Sequence, residues 1–184
     1  MTFACLKVSD GRRKGLISDW EQWLRSADDL YMRFLARLEE SPFSYHEVAS
    51  VGFLASASAM AGFLPVNEYD IIKRGNADKR EKVPGRADLW FDTGDRCYSF
   101  EFKRAWFAAT PNNLSASLNT ALNDIKCVQP DEYHYAAGGL LAFVNDEDRL
   151  NTYLEFAEAD EVDFSYSIGP EGKNAAFLYF KLVD

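Results

Sequence analysis

One stretch of the sequence places charged side chains where an α/β protein usually has a buried sheet. The residues from Gly85 to Trp106 read GRADLWFDTGDRCYSFEFKRAW and contain Asp88, Glu101 and Lys103. Two carboxylates held close together repel each other unless a positive charge lies between them. A lysine supplies part of this charge, and a divalent cation with hard oxygen ligands, such as Mg²⁺, supplies it better. The three side chains therefore indicate a site that could bind a metal ion.

The same stretch predicts two neighbouring strands. RADLWFD and CYSFEFKRA have strand composition and are separated by a turn at residues 92–96. Alternation puts Glu101 and Lys103 on one face of the second strand and its aromatic residues on the other, and Asp88 is expected across from them. An ordinary salt bridge on a solvated sheet face is the simpler alternative. Helices packed on this face would partly bury the charged side chains. A buried charge requires either a compensating partner or a functional role.

The elements around these strands predict a mixed α/β sheet. An apolar stripe after Ser18, taken as the N-cap, predicts a first helix, and the Ala-rich residues 44–64 predict a second. Three strands, a helix over residues 112–127 and the apolar strand GGLLAFVN follow. An acidic helix and two further strands close the chain. We therefore expect a mixed central sheet flanked by helices.

Composition limits the class of protein. The 184 residues, 47% of them hydrophobic, can form one domain with a sizeable core. The first residues do not read as a signal peptide, and no apolar run reaches transmembrane length. Three cysteines without a CxxC motif predict free thiols and a cytoplasmic location rather than a zinc site.

The charge is distributed unevenly. The net charge is −9, and residues 131–184 hold 12 acidic and 3 basic residues, so the rest of the chain is neutral. This balance argues against a surface that coats nucleic acid. The segment from Lys73 to Arg86 nevertheless carries six basic residues against two acidic ones. Such a segment forms either a solvent-exposed loop or a local binding site for phosphate groups.

Asp88 followed by Glu101-Phe102-Lys103 resembles the PD-(D/E)xK signature of restriction-endonuclease-like nucleases. The predicted order of helix, three strands, helix and strand is similar to that family's α-β-β-β-α-β core. The resemblance covers residues 44–145, with residues 1–43 as an N-terminal helical extension and 146–184 as a C-terminal extension of one domain. Ala87 stands where the family's Pro would precede the Asp.

The resemblance implies a metal-dependent nuclease that hydrolyses phosphodiester bonds. It implies that Asp88 and Glu101 hold Mg²⁺ or Mn²⁺, that Glu47 joins the metal shell, and that Lys103 orients or activates the attacking water. Glu47 has an alternative role, because Ser44-x-x-Glu47 is also a capping box. The expected substrate is nucleic acid, with DNA expected before RNA. Its phosphates would be bound by the basic side chains of Lys73, Arg74, Lys79, Arg80, Lys82, Arg86 and Arg104.

The acidic C-terminal third supports a second hypothesis. A nuclease-like domain without activity could act by protein binding, as an acidic immunity or antitoxin-type protein does toward a basic partner. The aromatic residues of the first helix, among them Trp20, Trp23, Tyr31 and Phe34, could form a homodimer interface or simply core. No membrane association is expected.

Overall fold

A single seven-stranded mixed sheet organises the chain. The computed structural model describes residues 3–74, 82–105 and 110–183, with only the backbone at Arg74 and Glu147. The strands are β1 (Ala4–Val8), β2 (Leu64–Arg74), β3 (Lys82–Asp92), β4 (Cys97–Arg104), β5 (Tyr135–Phe143), β6 (Phe164–Ile168) and β7 (Ala176–Leu182). Their order in the sheet is β1-β6-β7-β5-β4-β3-β2. The pair β4–β5 is parallel and the other five pairs are antiparallel.

Within the described residues, four helices cover the two faces of this sheet. They are α1 (Lys14–Leu38), α2 (Glu47–Met60), α3 (Pro111–Ile125) and α4 (Leu150–Ala157), and short 3₁₀ turns lie at Pro42–Ser44, Pro130–Glu132 and Glu147–Arg149. Residues of α1 and α2 share one apolar core with the sheet, and residues of α3 and α4 contribute to two others. The predicted α/β class with a mixed sheet flanked by helices is confirmed.

The helix α1 supplies the centre of the largest core. Trp20, Trp23 and Tyr31 are fully buried. The indole N–H of Trp23 donates to the carbonyl of Leu54 at 2.9 Å, which joins α1 to α2. The burial of a large aromatic side chain contributes about 2–3 kcal/mol to stability. These three residues are therefore core residues of the domain.

Two predictions about the first 38 residues are wrong. The strand β1 was not expected, and it pairs antiparallel with β6 at the far end of the sequence. The helix α1 begins at Lys14 rather than after Ser18, and its N-cap residue Arg13 makes no side-chain capping bond. The apolar stripe alone marked the start too late because the first turn carries Lys14 and Gly15, which do not belong to the stripe.

A close approach of α3 to the sheet depends on Gly138. A Cβ atom at this residue would lie 2.4 Å from the backbone nitrogen of Leu122, closer than real contacts allow. Gly138 pairs with Glu101 across the parallel strands β4 and β5. The helix therefore packs directly behind the strand that carries the charged side chains.

No helix in the described ranges combines the length and the apolar character needed to cross a membrane.

Candidate active site

Strands β3 and β4 hold the charged residues at adjacent positions. Their antiparallel register pairs Asp92 with Cys97 and Leu89 with Phe100, which leaves Asp88 as the neighbour of Glu101 just beyond the last pair. Phe100 and Phe102 are fully buried in the core under α1 and α2. The predicted alternation in β4 is confirmed for these residues, and it directs Glu101 and Lys103 to the opposite face.

The backbone pairing between β3 and β4 stops next to Asp88. Its carboxylate oxygen Oδ2 accepts the backbone N–H of Phe102 at 2.6 Å, so a side chain takes the place of a backbone acceptor. Burial raises the pKa of Asp88, and the negative charge of Glu68 adds to this, whereas the Phe102 N–H and the charge of Lys103 oppose it. The carboxylate is therefore fixed in orientation and short of positive charge.

Glu101 is the most deeply buried member of the site, with 4% of its surface exposed. Burial and then the negative charge of Asp88 raise its pKa from 4.5 to about 7, although Lys73 opposes the shift. The ammonium Nζ of Lys73 lies 2.5 Å from Glu101 Oε1. Lys73 thus contacts Glu101 from β2 across the intervening strand β3, and it pairs with the carboxylate once Glu101 is ionised.

Lys103 is held by a residue of α3. Its Nζ lies 2.9 Å from Asp124 Oδ2. Burial alone would lower the pKa of Lys103, but the hydrogen bond and charge of Asp124 and the charges of Glu47 and Asp88 raise it overall. Lys103 therefore remains an ammonium group, suited to hold a water molecule or a phosphate oxygen rather than to act as a base.

Glu47 lies beside the same group as the first residue of α2. Burial raises its pKa and so does the charge of Asp88, whereas Lys103 and the backbone N–H of Arg104, which hydrogen bonds to the carboxylate, lower it. The predicted capping box from Ser44 to Glu47 is wrong, because the N-cap of α2 is His46. Nδ1 of His46 accepts the N–H of Ala49 at 3.2 Å. The alternative role for Glu47 is thereby removed.

The basic residues expected to bind nucleic acid fall into three groups. Lys82 and Arg86 are exposed on β3, and Arg86 lies 3.4 Å from Glu68. Lys73 pairs with Glu101, and burial lowers the pKa of Arg104, against the nearby charge of Glu47. Lys79, Arg80 and the side chain of Arg74 lie outside the described part of the chain. Their proposed role remains a prediction.

Glu68 marks local strain opposite Asp88. Its φ angle is 50°, a left-handed conformation that is unusual for a side-chain-bearing residue inside a strand. The pairing of β2 with β3 continues on both sides of it, from Asn67 with Leu89 to Tyr69 with Ala87. Residues in this conformation cost about 1–3 kcal/mol and concentrate at functional sites.

The donor set suits a hard cation. Asp88 and Glu101 supply carboxylate oxygens, and Mg²⁺ is usually bound by one or two carboxylates together with waters and phosphate. Burial is the main cause of the raised pKa values of both groups, and neighbouring negative charge adds to it, which a divalent cation would offset. Within residues 3–74, 82–105 and 110–183, no set of three or more His, Cys, Asp or Glu side chains is grouped closely enough to hold an ion. Asp88 and Glu101 are the two neighbouring carboxylates that would hold such an ion.

No family model, curated protein or solved structure matches this chain. The likeness to PD-(D/E)xK nucleases accordingly rests on the motif residues and the order of the elements.

Two features of the site were missed by sequence reasoning. Asp124 was not among the residues expected at the site. Lys73 was assigned to phosphate, and its contact with Glu101 was not foreseen. In α3, Asp124 lies three residues after Ala121, at the edge of the buried stripe. This position is the sequence signal that favours a role for Asp124 at the site.

The ionisation of Glu101 predicts the pH dependence of stability. The folded chain holds a proton on Glu101 up to about pH 7, whereas the unfolded chain releases it near 4.5. The free energy of unfolding therefore falls as pH rises between these values, by on the order of 2 kcal/mol. Urea unfolding at pH 5 and pH 8 in the presence of a chelator measures this difference, and adding Mg²⁺ should restore stability more at pH 8 than at pH 5.

The matched controls for this measurement are Glu101→Gln and Asp131→Asn. Glu101→Gln should flatten the dependence between pH 5 and pH 8, because an amide does not titrate. Asp131 is exposed in the 3₁₀ turn before β5, so its substitution should leave the dependence as in the parent chain. Stability that rises from pH 5 to pH 8 in the parent chain would contradict the assignment.

Asp124→Asn tests the role of Asp124 in positioning Lys103. The DNA cleavage that the resemblance implies should fall about 10- to 100-fold, the usual effect of removing a residue that orients a catalytic group. The side chain of Asp124 is 42% exposed, so stability should change little. Asp131→Asn makes the same chemical change away from the site and should retain full activity. Cleavage rates under single-turnover conditions provide the comparison, and equal rates for the two variants would exclude the role.

Proposed function

We propose that this chain is a metal-dependent nuclease that hydrolyses phosphodiester bonds in nucleic acid, with DNA as the first substrate class to test. The observation that carries the proposal is the grouping of Asp88, Glu101 and Lys103 from two adjacent strands, with Glu47 arriving from α2. Three partly or fully buried carboxylates with raised pKa values are costly to fold, and such groups concentrate at catalytic sites. The restriction-endonuclease-like core belongs to the same proposal.

The residues have separate roles in this scheme. Asp88 and Glu101 would hold Mg²⁺, which when bound supplies Lewis-acid stabilisation of negative charge on the phosphoryl group. Lys103, kept protonated by Asp124, holds the attacking water or a non-bridging phosphate oxygen. Glu47 lies within electrostatic range of Lys103 and Asp88, where it can accept a proton from a bound water.

Lys73 occupies one of the oxygens that a metal ion would bind. In the present structure its ammonium group covers one oxygen of Glu101. An ammonium and a divalent cation compete for the same carboxylate, so binding of Mg²⁺ at this oxygen would displace Lys73. Lys73 would then be free to contact a phosphate, which reconciles its observed contact with its predicted role.

A direct test is cleavage of defined substrates by the purified chain. Supercoiled plasmid, branched DNA, single-stranded DNA and RNA are each incubated with Mg²⁺, with Mn²⁺ and with a chelator. We expect cleavage of at least one DNA substrate that depends on the metal and is lost in Lys103→Ala prepared in parallel. Equal cleavage by the parent and Lys103→Ala would identify a contaminating nuclease and would remove support for the proposal.

The contact between Lys73 and Glu101 also favours a second candidate, a nuclease-like domain that acts by binding a protein. An internal cation that permanently neutralises Glu101 would make a metal unnecessary, and the C-terminal third is strongly acidic. A chain of this kind would be inert toward all four nucleic-acid substrates and would bind a basic protein in a salt-dependent manner. Isothermal titration of Mg²⁺ separates the two candidates, since only the nuclease requires the ion.

A further inference from the structure

A cysteine and a histidine are in direct contact at the start of β4, at the other end of the strand from Lys103. The Sγ atom of Cys97 lies 3.0 Å from Nδ1 of His134. His134 is exposed and Cys97 is partly exposed, so small molecules can reach the pair. The nuclease proposal makes no use of either residue.

Contacts that do not involve the sulfur hold the imidazole against it. The backbone N–H of His134 donates to the carbonyl of Cys97 at 3.0 Å, and the backbone N–H of Cys97 donates to His134 Nδ1 at 3.0 Å. The indole N–H of Trp90 donates to the carbonyl of Glu132 at 2.9 Å, which fixes the segment that leads into His134. The ring is therefore oriented by the fold before any reaction at sulfur.

We propose that Cys97 is a reactive thiol activated by His134 and modified by soft electrophiles and hydroperoxides. Because Nδ1 accepts the Cys97 backbone N–H, it is the unprotonated nitrogen of the neutral ring and the one able to take the thiol proton. Transfer of that proton gives a thiolate beside an imidazolium, the nucleophilic form of cysteine. The Cys97 N–H shares this lone pair in the neutral ring and loses its acceptor when Nδ1 takes the thiol proton.

The reaction with a hydroperoxide balances without a further reagent. The thiolate attacks the terminal oxygen of the hydroperoxide, and an S–O bond forms as the O–O bond breaks. The departing oxygen takes the proton from the imidazolium and leaves as an alcohol, or as water when the oxidant is hydrogen peroxide. Sulfur is oxidised by two electrons to sulfenic acid, and the peroxide is reduced by two.

Other titratable side chains lie near Cys97 and His134, and the two remaining cysteines serve as reference thiols for Cys97. Tyr69 of β2, Asp92 opposite Cys97 on β3 and Glu132 before β5 are the other titratable residues nearby. The chain also provides two reference thiols. Cys5 lies at the surface, where partial desolvation of its thiol and then the charge of Glu21 raise its pKa. The thiol of Cys127 donates to the carbonyl of Asn123 at 3.4 Å.

The experiment compares the three thiols within one molecule. The folded chain is treated with limiting iodoacetamide at pH 7, and the alkylation rate at each cysteine is measured by peptide mass spectrometry. We expect Cys97 to react at least about 10-fold faster than Cys5 and Cys127, because thiolate content controls the rate. Unfolding in urea should equalise the three rates. A parallel treatment with hydrogen peroxide and a sulfenic-acid trap should label Cys97 first.

Substitution of the histidine tests its part directly. His134→Asn keeps an acceptor for the Cys97 N–H but cannot take a proton, so the rate at Cys97 should fall about 10-fold, to that of Cys127. Unchanged rates at Cys5 and Cys127 report that the variant is folded, and His46→Asn serves as the matched histidine control. The proposal is overturned if Cys97 has no advantage in the folded parent chain, which requires no variant, or if His134→Asn leaves that advantage intact. Neither outcome depends on nuclease activity.

Discussion

Asp88→Asn is expected to lower the proposed metal-dependent DNA cleavage by at least about 10³-fold, because loss of Asp88 as the proposed metal ligand would remove several kcal/mol of transition-state stabilisation. The substitution preserves shape, and the amide oxygen can still accept the Phe102 N–H that Asp88 Oδ2 accepts at 2.6 Å. It also removes the charge that raises the pKa of Glu101. The variant should therefore be inactive yet at least as stable as the parent chain at pH 8.

This combination distinguishes a catalytic carboxylate from a structural one. A structural Asp88 would lose stability on substitution, whereas a catalytic residue placed in a crowded site often gains it. Single-turnover cleavage and urea unfolding of the same preparation provide both readouts, with Asp131→Asn as the control that carries the same change in net charge. Full cleavage by Asp88→Asn would exclude Asp88 from the site.

Gly138→Ala should have the largest effect on stability, a loss of about 3 kcal/mol. The new methyl group would lie 2.4 Å from the backbone nitrogen of Leu122 and 2.7 Å from its Cα atom. Backbone atoms of a helix cannot rotate away as a side chain does, so α3 as a whole must shift from β5. Because α3 carries Asp124, the shift also separates Asp124 from Lys103. Cleavage activity should therefore fall together with the free energy of unfolding.

The control for this prediction is Gly52→Ala. Gly52 lies within α2, and a Cβ atom there would meet no other atom within 4 Å. Alanine is favoured over glycine inside a helix by about 0.5–1 kcal/mol, so this variant should gain stability. Chemical denaturation of both variants measures the difference. A Gly138→Ala chain as stable as Gly52→Ala would show that the packing of α3 on β5 is looser than described.

Local patterns predicted most of the fold and the centre of the site. The alternation of β4, with Phe100 and Phe102 on one side and Glu101 on the other, follows from the period of a strand and needs no knowledge of distant residues. The turn between β3 and β4 is short, so the neighbourhood of Asp88 and Glu101 could also be derived from the sequence. The order of helices and strands from α2 to β7 follows from the same patterns.

Features that depend on distant residues could not be derived in this way. Nothing in residues 4–8 indicates pairing with residues 164–168, because a short partly exposed strand has a weak pattern of its own. Lys73 reaches Glu101 only because β2 lies beside β3 in the correct register. The contact of Asp124 with Lys103 likewise requires the packing of α3 on the sheet. Each depends on tertiary geometry that one sequence does not encode locally.

The pairing of β1 with β6 has a consequence for the order in which the protein matures on the ribosome. Residues 4–8 are synthesised early, but their partner at residues 164–168 emerges only after nearly all of the described chain has been translated. Until then β1 has no neighbour, and the aromatic face of α1 lacks the cover of Phe164 and Phe180. Nascent chains with such exposed surfaces are the ones that chaperones engage. The sheet therefore becomes complete only after translation of β7, which lies between β6 and β5, rather than by stepwise folding from the N-terminus.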